Sequence, residues 1–202
     1  MTWHLYTSPR SPFVRKVMIA AHELGLADQI TTQDVVTTPM TPAPELLVDN
    51  PLGMIPTLMA GERMIFDSLT ILEVLNDAAG GALFPAGTRQ DCLTRHAMAN
   101  GMMDKAVRIL DEQFRAQNGD TEAHIAGFVA AIKRGISWME PRLTEGRFDA
   151  GDIAFCALLA YLDMRFPKFL WLADAPVAAR WYADISTRPC VADTAFQTPP
   201  FV

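Results

Sequence analysis

Three short strings in the first part of the chain carry residue types suited to holding a small anion. They are Ser11-Pro12-Phe13-Val14-Arg15-Lys16, then Asn50-Pro51-Leu52-Gly53-Met54-Ile55-Pro56, then Phe66-Asp67-Ser68. The first and third read as capped helix starts, where hydroxyls and backbone N–H groups point the same way. The second reads as a turn that delivers an Ile-Pro step, and a backbone edge there can pair with an extended peptide. Each string alone is an ordinary structural device. In this order they can present donors, an edge and hydroxyls to one small anionic peptide.

The elements that must position these strings can be read from pattern. Residues 2–7 form a short apolar strand closed by Ser8-Pro9. Ser11 caps a helix whose first residue is Pro12, with Phe13, Val17, Ala20 and Leu24 at helical spacing and Gly25 as its stop. Ile30 to Val36 reads as a second strand, and the proline-rich stretch from Thr37 to Pro44 as a loop. Pro56 to Met59 and Met64 to Phe66 flank Gly61-Glu62 as a hairpin, and Ser68 to Ala79 is helical. After Gly80-Gly81 the character changes, and no strand is expected from Arg89 onward. Helices are expected over Arg89 to Arg115, Thr121 to Arg142, Asp152 to Phe166 and Val177 to Ser186. In Asp149-Ala150-Gly151-Asp152 one carboxylate falls at an N-cap and another at N3, flanked by Phe148 and Ile153 as a hydrophobic staple. The expected fold is α/β plus all-α. A small domain over 1–80 precedes a helical bundle over 88–202.

Composition narrows the function classes. Half of the 202 residues are hydrophobic, a fifth are charged, and the net charge is −6. An acidic chain without a basic run does not suit a nucleic-acid partner. The start shows no basic region followed by an apolar run, and Ile153 to Leu162 is too short to span a bilayer, so no secretion and no membrane partner are expected. Three scattered cysteines, Cys92, Cys156 and Cys190, make no disulfide framework and fit a reducing cytoplasm. Cys92 and His96 share a helix face, but two ligands make no zinc site, and no metal is expected. No phosphate loop, dinucleotide fingerprint or nucleophile elbow occurs, nor a Cys-x-x-Cys near Ser11.

Taken together, the strings resemble those of the glutathione transferases, and the resemblance covers nearly the whole chain. It implies a thioredoxin-like domain that binds glutathione, followed by a helical bundle that contributes the pocket for an electrophile. Ser11-Pro12-Phe13 is similar to the active-site start of the serine-type bacterial members. Asn50-Pro51-Leu52-Gly53 resembles the turn before the family's cis-proline, Ile55-Pro56. Asp67-Ser68 is similar to its acidic-serine pair, and Asp149 to Asp152 to its helical-domain capping motif.

On that resemblance Ser11 is the expected catalytic donor and Ser8, at the strand end, its rival. A thiol attacks as thiolate, and a free thiol near pKa ~8.5 is mostly protonated at neutral pH. A hydroxyl and the N–H groups of a helix start favour the charged sulfur, at about 1.4 kcal/mol per pKa unit. Ile55, ahead of a cis Pro56, would pair with the cysteine part of glutathione, while Ser68 and Asp67 would hold the γ-glutamyl carboxylate and ammonium. The plainer readings are that Ser11 and Asp67-Ser68 only cap their helices and that the Ile55-Pro56 bond is trans. Arg10, Met102 and Met103 are candidates for the electrophile side, methionine being adaptable, although methionines at helical spacing also serve a core. Arg15 is expected in a structural ion pair. One departure stands out. No Lys or Arg occurs between Lys16 and Arg63, and Met54 stands where the family commonly has a lysine for the glycyl carboxylate. The expected protein is a cytoplasmic homodimer that adds glutathione to a small electrophile. The alternatives are a non-catalytic transferase-like binding protein and a glutathione-dependent disulfide or peroxide reductase.

Overall fold

Strand β1 (Trp3–Thr7) is an inner strand of the first unit's sheet, hydrogen-bonded on both sides. In the computed structural model, which describes residues 2–196, it pairs in parallel with β2 (Ile30–Asp34) and antiparallel with β3 (Thr57–Ala60). A tight turn at Gly61 returns the chain as β4 (Arg63–Ile65), giving the order β2-β1-β3-β4. Gly61 has φ +63°, which glycine adopts without a Cβ penalty.

Helix α1 (Pro12–Glu23) starts where the sequence places it: the Val14 N–H donates to Ser11 Oγ at 3.3 Å and Pro12 opens the first turn. Its buried side, with Val14, Val17, Ile19, Ala20 and Ala21, is wider than the expected stripe. Helix α3 (Ser68–Ala78) packs against α1 and buries Ile71, Leu72 and Leu75. The stretch read as a loop runs on into a short helix, α2 (Pro44–Asp49), whose Leu46 joins Tyr6, Val35 and Ala43 in a small core.

The second unit spans Gly87–Arg188. It contains α4 (Arg89–Gln113), α5 (Gly119–Met139), α6 (Ala150–Arg165) and α7 (Pro176–Ile185). Helix α6 is buried on every side from Ala150 to Leu162, the signature of a central helix. At its start Asp149 Oδ1 accepts the N–H groups of Gly151 (2.9 Å) and Asp152 (3.2 Å), and Asp152 Oδ2 accepts the Asp149 N–H at 3.2 Å. This is the capping box read from the sequence. Arg95 of α4 fastens it, reaching Asp149 at 2.6 Å, Asp152 at 2.8 Å and Asp91 at 2.9 Å. Among the described residues no helix is long and apolar enough to cross a membrane.

The domain boundary differs from the expected one at the C-terminal side. Helix α8 (Pro189–Ala192) packs on α1 and belongs to the first unit, not to the helical one.

Candidate active site

The turn after β1 brings Ser8 and Ser11 together: the Ser11 N–H donates to the Ser8 carbonyl at 3.1 Å, and both side chains are half-buried. Ser11 Oγ accepts one hydrogen bond from the Val14 N–H. A hydroxyl has one proton to give and two lone pairs, so capping leaves the Ser11 proton available for a sulfur. Capping and donation are therefore compatible here, not rivals. Arg10 is exposed on the same turn, its N–H at 3.5 Å from Ser8 Oγ.

The Ile55-Pro56 peptide bond is cis, and so is Phe66-Asp67. What holds the first of these turns is a residue to which the sequence reading gave no role. Asn50 is completely buried, and its Nδ2 donates to the Met54 carbonyl (3.1 Å) and to Thr57 Oγ1 (2.8 Å). Thr57 Oγ1 in turn donates to the Met54 carbonyl at 2.7 Å, and Asn50 Oδ1 accepts the Leu52 N–H at 3.0 Å. The side chain thus grips the Met54 backbone on one side of Ile55-Pro56 and the Thr57 hydroxyl on the other. From the other direction Thr37 Oγ1 donates to the Gly53 carbonyl at 2.8 Å. Gly53 has φ +59°, and a Cβ there would meet Pro42 Cβ at 3.1 Å, so both conformation and space require glycine. An asparagine two residues ahead of an N–H it can accept is the signal that was present in the sequence.

Asp67 caps α3, accepting the Leu69 N–H at 3.1 Å, while Ser68 is the first helical residue and is buried. Beneath them lies a second feature that the sequence hides. Lys16, next to Arg15 in a polar string, is fully buried; burial pushes its ammonium down to about 7, against the pull of the nearby Asp67 carboxylate. Arg15 is also buried, and its Nη2 donates to the Val191 carbonyl at 3.2 Å. Tyr6 points toward α2, where its hydroxyl donates to Asp49 at 2.6 Å and is pushed up to about 12, so it is no donor at the serines.

Met102 and Met103 do not offer themselves to a ligand. Both are buried, and Met102 fills the space above Gly135 of α5, where a Cβ would stand 2.3 Å from its sulfur. Close approach of α4 and α5 at a glycine explains why these methionines serve the core. Cys92 is likewise buried, its thiol pushed up to about 11 chiefly by loss of solvation. Among the described residues no group of three or more His, Cys, Asp or Glu side chains is arranged to hold a metal ion.

Family models for the glutathione S-transferase N-terminal and C-terminal domains match residues 10–78 and 122–184. Glutathione S-transferase 3 of Zea mays is 39% identical over 210 residues, spanning 96% of this chain and 94% of its own. The chain belongs to the glutathione S-transferase family. The uncharacterized GST-like protein YibF of Escherichia coli K12 is 28% identical over 201 residues, covering 94% of this chain and 96% of its own length. Among solved structures, a glutathione transferase family member from Pseudomonas fluorescens Pf-5, with bound glutathione, superposes with a TM-score of 0.91. It is 34% identical and covers 98% of this transferase and 100% of its own chain. The fold read from the sequence, a thioredoxin-like domain followed by a helical one, is the fold of this transferase.

Proposed function

We propose that this transferase activates the thiol of glutathione at Ser11 and directs it onto a small electrophile. The observation that carries the reading is the double use of the Ser11 hydroxyl, which accepts from Val14 at 3.3 Å and keeps its own proton to donate. Lowering a thiol's pKa by one unit requires about 1.4 kcal/mol of preferential thiolate stabilisation, within reach of one charge-assisted hydrogen bond. The sulfur then forms its bond to carbon, and the leaving group departs with its electron pair or the addition is completed by a proton. In this reading the Ile55 backbone, held ahead of Pro56 by Asn50, pairs with the cysteine part of glutathione. The start of α3, with Asp67 and Ser68, receives its γ-glutamyl end. Ser8 stands second to Ser11 because it lies outside the helix start.

The enzyme acts as a homodimer in the cytoplasm on this reading. Support for self-association comes from the exposed Val48, Leu52 and Met54 on α2 and the turn that follows. Ser11→Ala tests the donor role: turnover with an aryl halide falls by roughly a hundredfold, the size of effect seen when one anion-stabilising donor is lost. Glutathione affinity by calorimetry stays within about threefold of the parent. Equal losses in turnover and affinity would contradict it.

A second reading, a binding protein without turnover, is favoured by one observation. Met54 is 60% exposed on the turn before Ile55, and no lysine or arginine lies between the buried Lys16 and Arg63. Calorimetry decides: no heat with millimolar glutathione supports the second reading, and binding accompanied by conjugation removes it.

A further inference from the structure

Helix α1 is tied near both of its ends to the segment that follows the helical unit. At its last residue Glu23 Oε2 accepts the Cys190 thiol at 3.1 Å, and near its start Arg15 Nη2 donates to the Val191 carbonyl at 3.2 Å. The same guanidinium lies 4.7 Å from the centre of the Phe196 ring, within the range of a cation–π contact. Helix α8, which carries Cys190 and Val191, packs on α1, and all of these residues belong to the first unit. Thr194 and Phe196 also line a hollow of about 260 Å³ that Ser8 and Ser11 border, so the segment passes beside the hydroxyls themselves.

Arg15 is placed to pass this attachment on to Ser11. Its own N–H donates to the Ser11 carbonyl at 3.0 Å, which opens the hydrogen-bond ladder of α1. Beside it the Val14 N–H donates to the Ser11 hydroxyl at 3.3 Å. Helices fray from their first turn, where the leading N–H groups lack partners inside the helix. An anchored side chain on that turn opposes fraying. Arg15 is 8% exposed, and lifting it away would strip a guanidinium of the carbonyl and the ring that stand in for its water. A donor stabilises an anion only while it is held at bonding distance, so a first turn that opens takes the Ser11 hydroxyl with it.

We infer that residues 189–196 form a strap that fixes the first turn of α1, and that Arg15 is the positioning residue through which the strap holds the Ser11 hydroxyl in place for the thiol. The last clause rests on the transferase reading. The fixing of the turn does not.

The first test needs no glutathione. Amide hydrogen exchange is followed by NMR in the full chain, in Arg15→Met and in Phe196→Leu, which removes the ring from a half-buried side chain and leaves the arginine. In Arg15→Met the Val14 and Arg15 amides exchange about tenfold faster, while those of Leu72 and Leu75 in α3 keep the parent rate. Phe196→Leu gives roughly a threefold increase at the same two amides, and Arg15→Lys, which keeps a donor and a cation, stays close to the parent. Unchanged exchange at Val14 and Arg15 in both Arg15→Met and Phe196→Leu, or acceleration spread equally through α3, overturns the strap. Should Arg15→Met not fold, Phe196→Leu alone decides by the same two criteria.

The second test reads the thiol of bound glutathione from the ultraviolet absorbance of its thiolate across a pH series. In Arg15→Met that pKa rises by about one unit and turnover at neutral pH falls about tenfold. Glutathione affinity by calorimetry stays within about threefold of the parent, because Ile55 and the start of α3 hold the peptide in the proposed reading. A thiol pKa that does not move, or equal losses of turnover and affinity, overturns the positioning role. Faster exchange at the two amides in a chain whose parent conjugates nothing keeps the strap and removes the transferase reading. Conjugation by a parent whose variants change neither exchange nor thiol pKa does the reverse.

Discussion

Helices α1 and α6 both begin on a short polar side chain, and the two starts are finished in different ways. At α6 the Asp149 carboxylate is buried, both capping bonds are made, and Arg95 and Arg147 reach its partner Asp152 at 2.8 Å. At α1 the Ser11 hydroxyl is half-buried, makes one capping bond, and borders an open hollow. A buried charge must be matched inside the protein, because leaving one unmatched costs several kcal/mol. A half-exposed hydroxyl has water as its standing partner and can exchange it for a ligand atom. The same capping chemistry therefore locks the fold in one unit and leaves a hydroxyl proton open to exchange in the other.

The contrast breaks first at Arg95. Arg95→Met leaves Asp149 and Asp152 buried without their cation, and we expect a loss of about 3–5 kcal/mol. In a chain of this size each kcal/mol moves Tm by roughly 2–4 °C, so thermal unfolding shows a fall on the order of 10 °C. A fall of a degree or two would mean that the α6 start is not the lock described.

Lys16 tests the first unit from beneath. Its ammonium is charged below about 7 when folded but up to the ordinary 10.5 when unfolded. Between pH 7 and 9 the unfolded chain therefore binds the extra proton, and stability rises with pH. Above pH 9 the raised thiol of Cys92 opposes that rise, since the unfolded cysteine ionises first. Lys16→Met is expected to remove the rise and to add on the order of 3 kcal/mol at pH 7. Denaturant titrations at pH 7 and pH 9 check both signs.

Smaller effects sharpen the comparison. A Cβ at Gly151 would stand 2.9 Å from the Cys92 carbonyl, which is backbone and has little room to give. Gly151→Ala is expected to cost roughly 1–3 kcal/mol, and Gly135→Ala less, because the Met102 tip can swing aside. Ser11→Ala is last in stability, about 1 kcal/mol for a lost serine cap, although it is expected first in turnover. A variant that loses both to the same degree would erase the distinction between the two helix starts.

Much of this was legible in the sequence because its signals are local. A serine before a proline, an Asp-x-x-Asp before an apolar run and a Gly-Glu turn between short apolar stretches each act within a few residues. What was missed arises from partners far along the chain. Helix α2 is six residues long with a single buried side chain, and no period can form over that span. Nothing in Arg15-Lys16 says that both are buried, since α3 and α8 supply the burial. The methionines of α4 looked like a pocket because the glycine opposite them lies more than thirty positions away. Asn50 was quoted as part of a turn and given no role, because its two grips depend on how the folded turn places the Met54 carbonyl and the Thr57 hydroxyl.

The attachment of α8 to α1 makes the first unit discontinuous along the chain: among the described residues, 2–86 and 189–196 form one body, with the whole of Gly87–Arg188 between them in sequence. During synthesis, the guanidinium of Arg15 must wait for the Val191 carbonyl until the ribosome has made the whole of the helical unit. The unit that starts first is thus the last to be finished, and premature termination anywhere in the helical half leaves it unclosed.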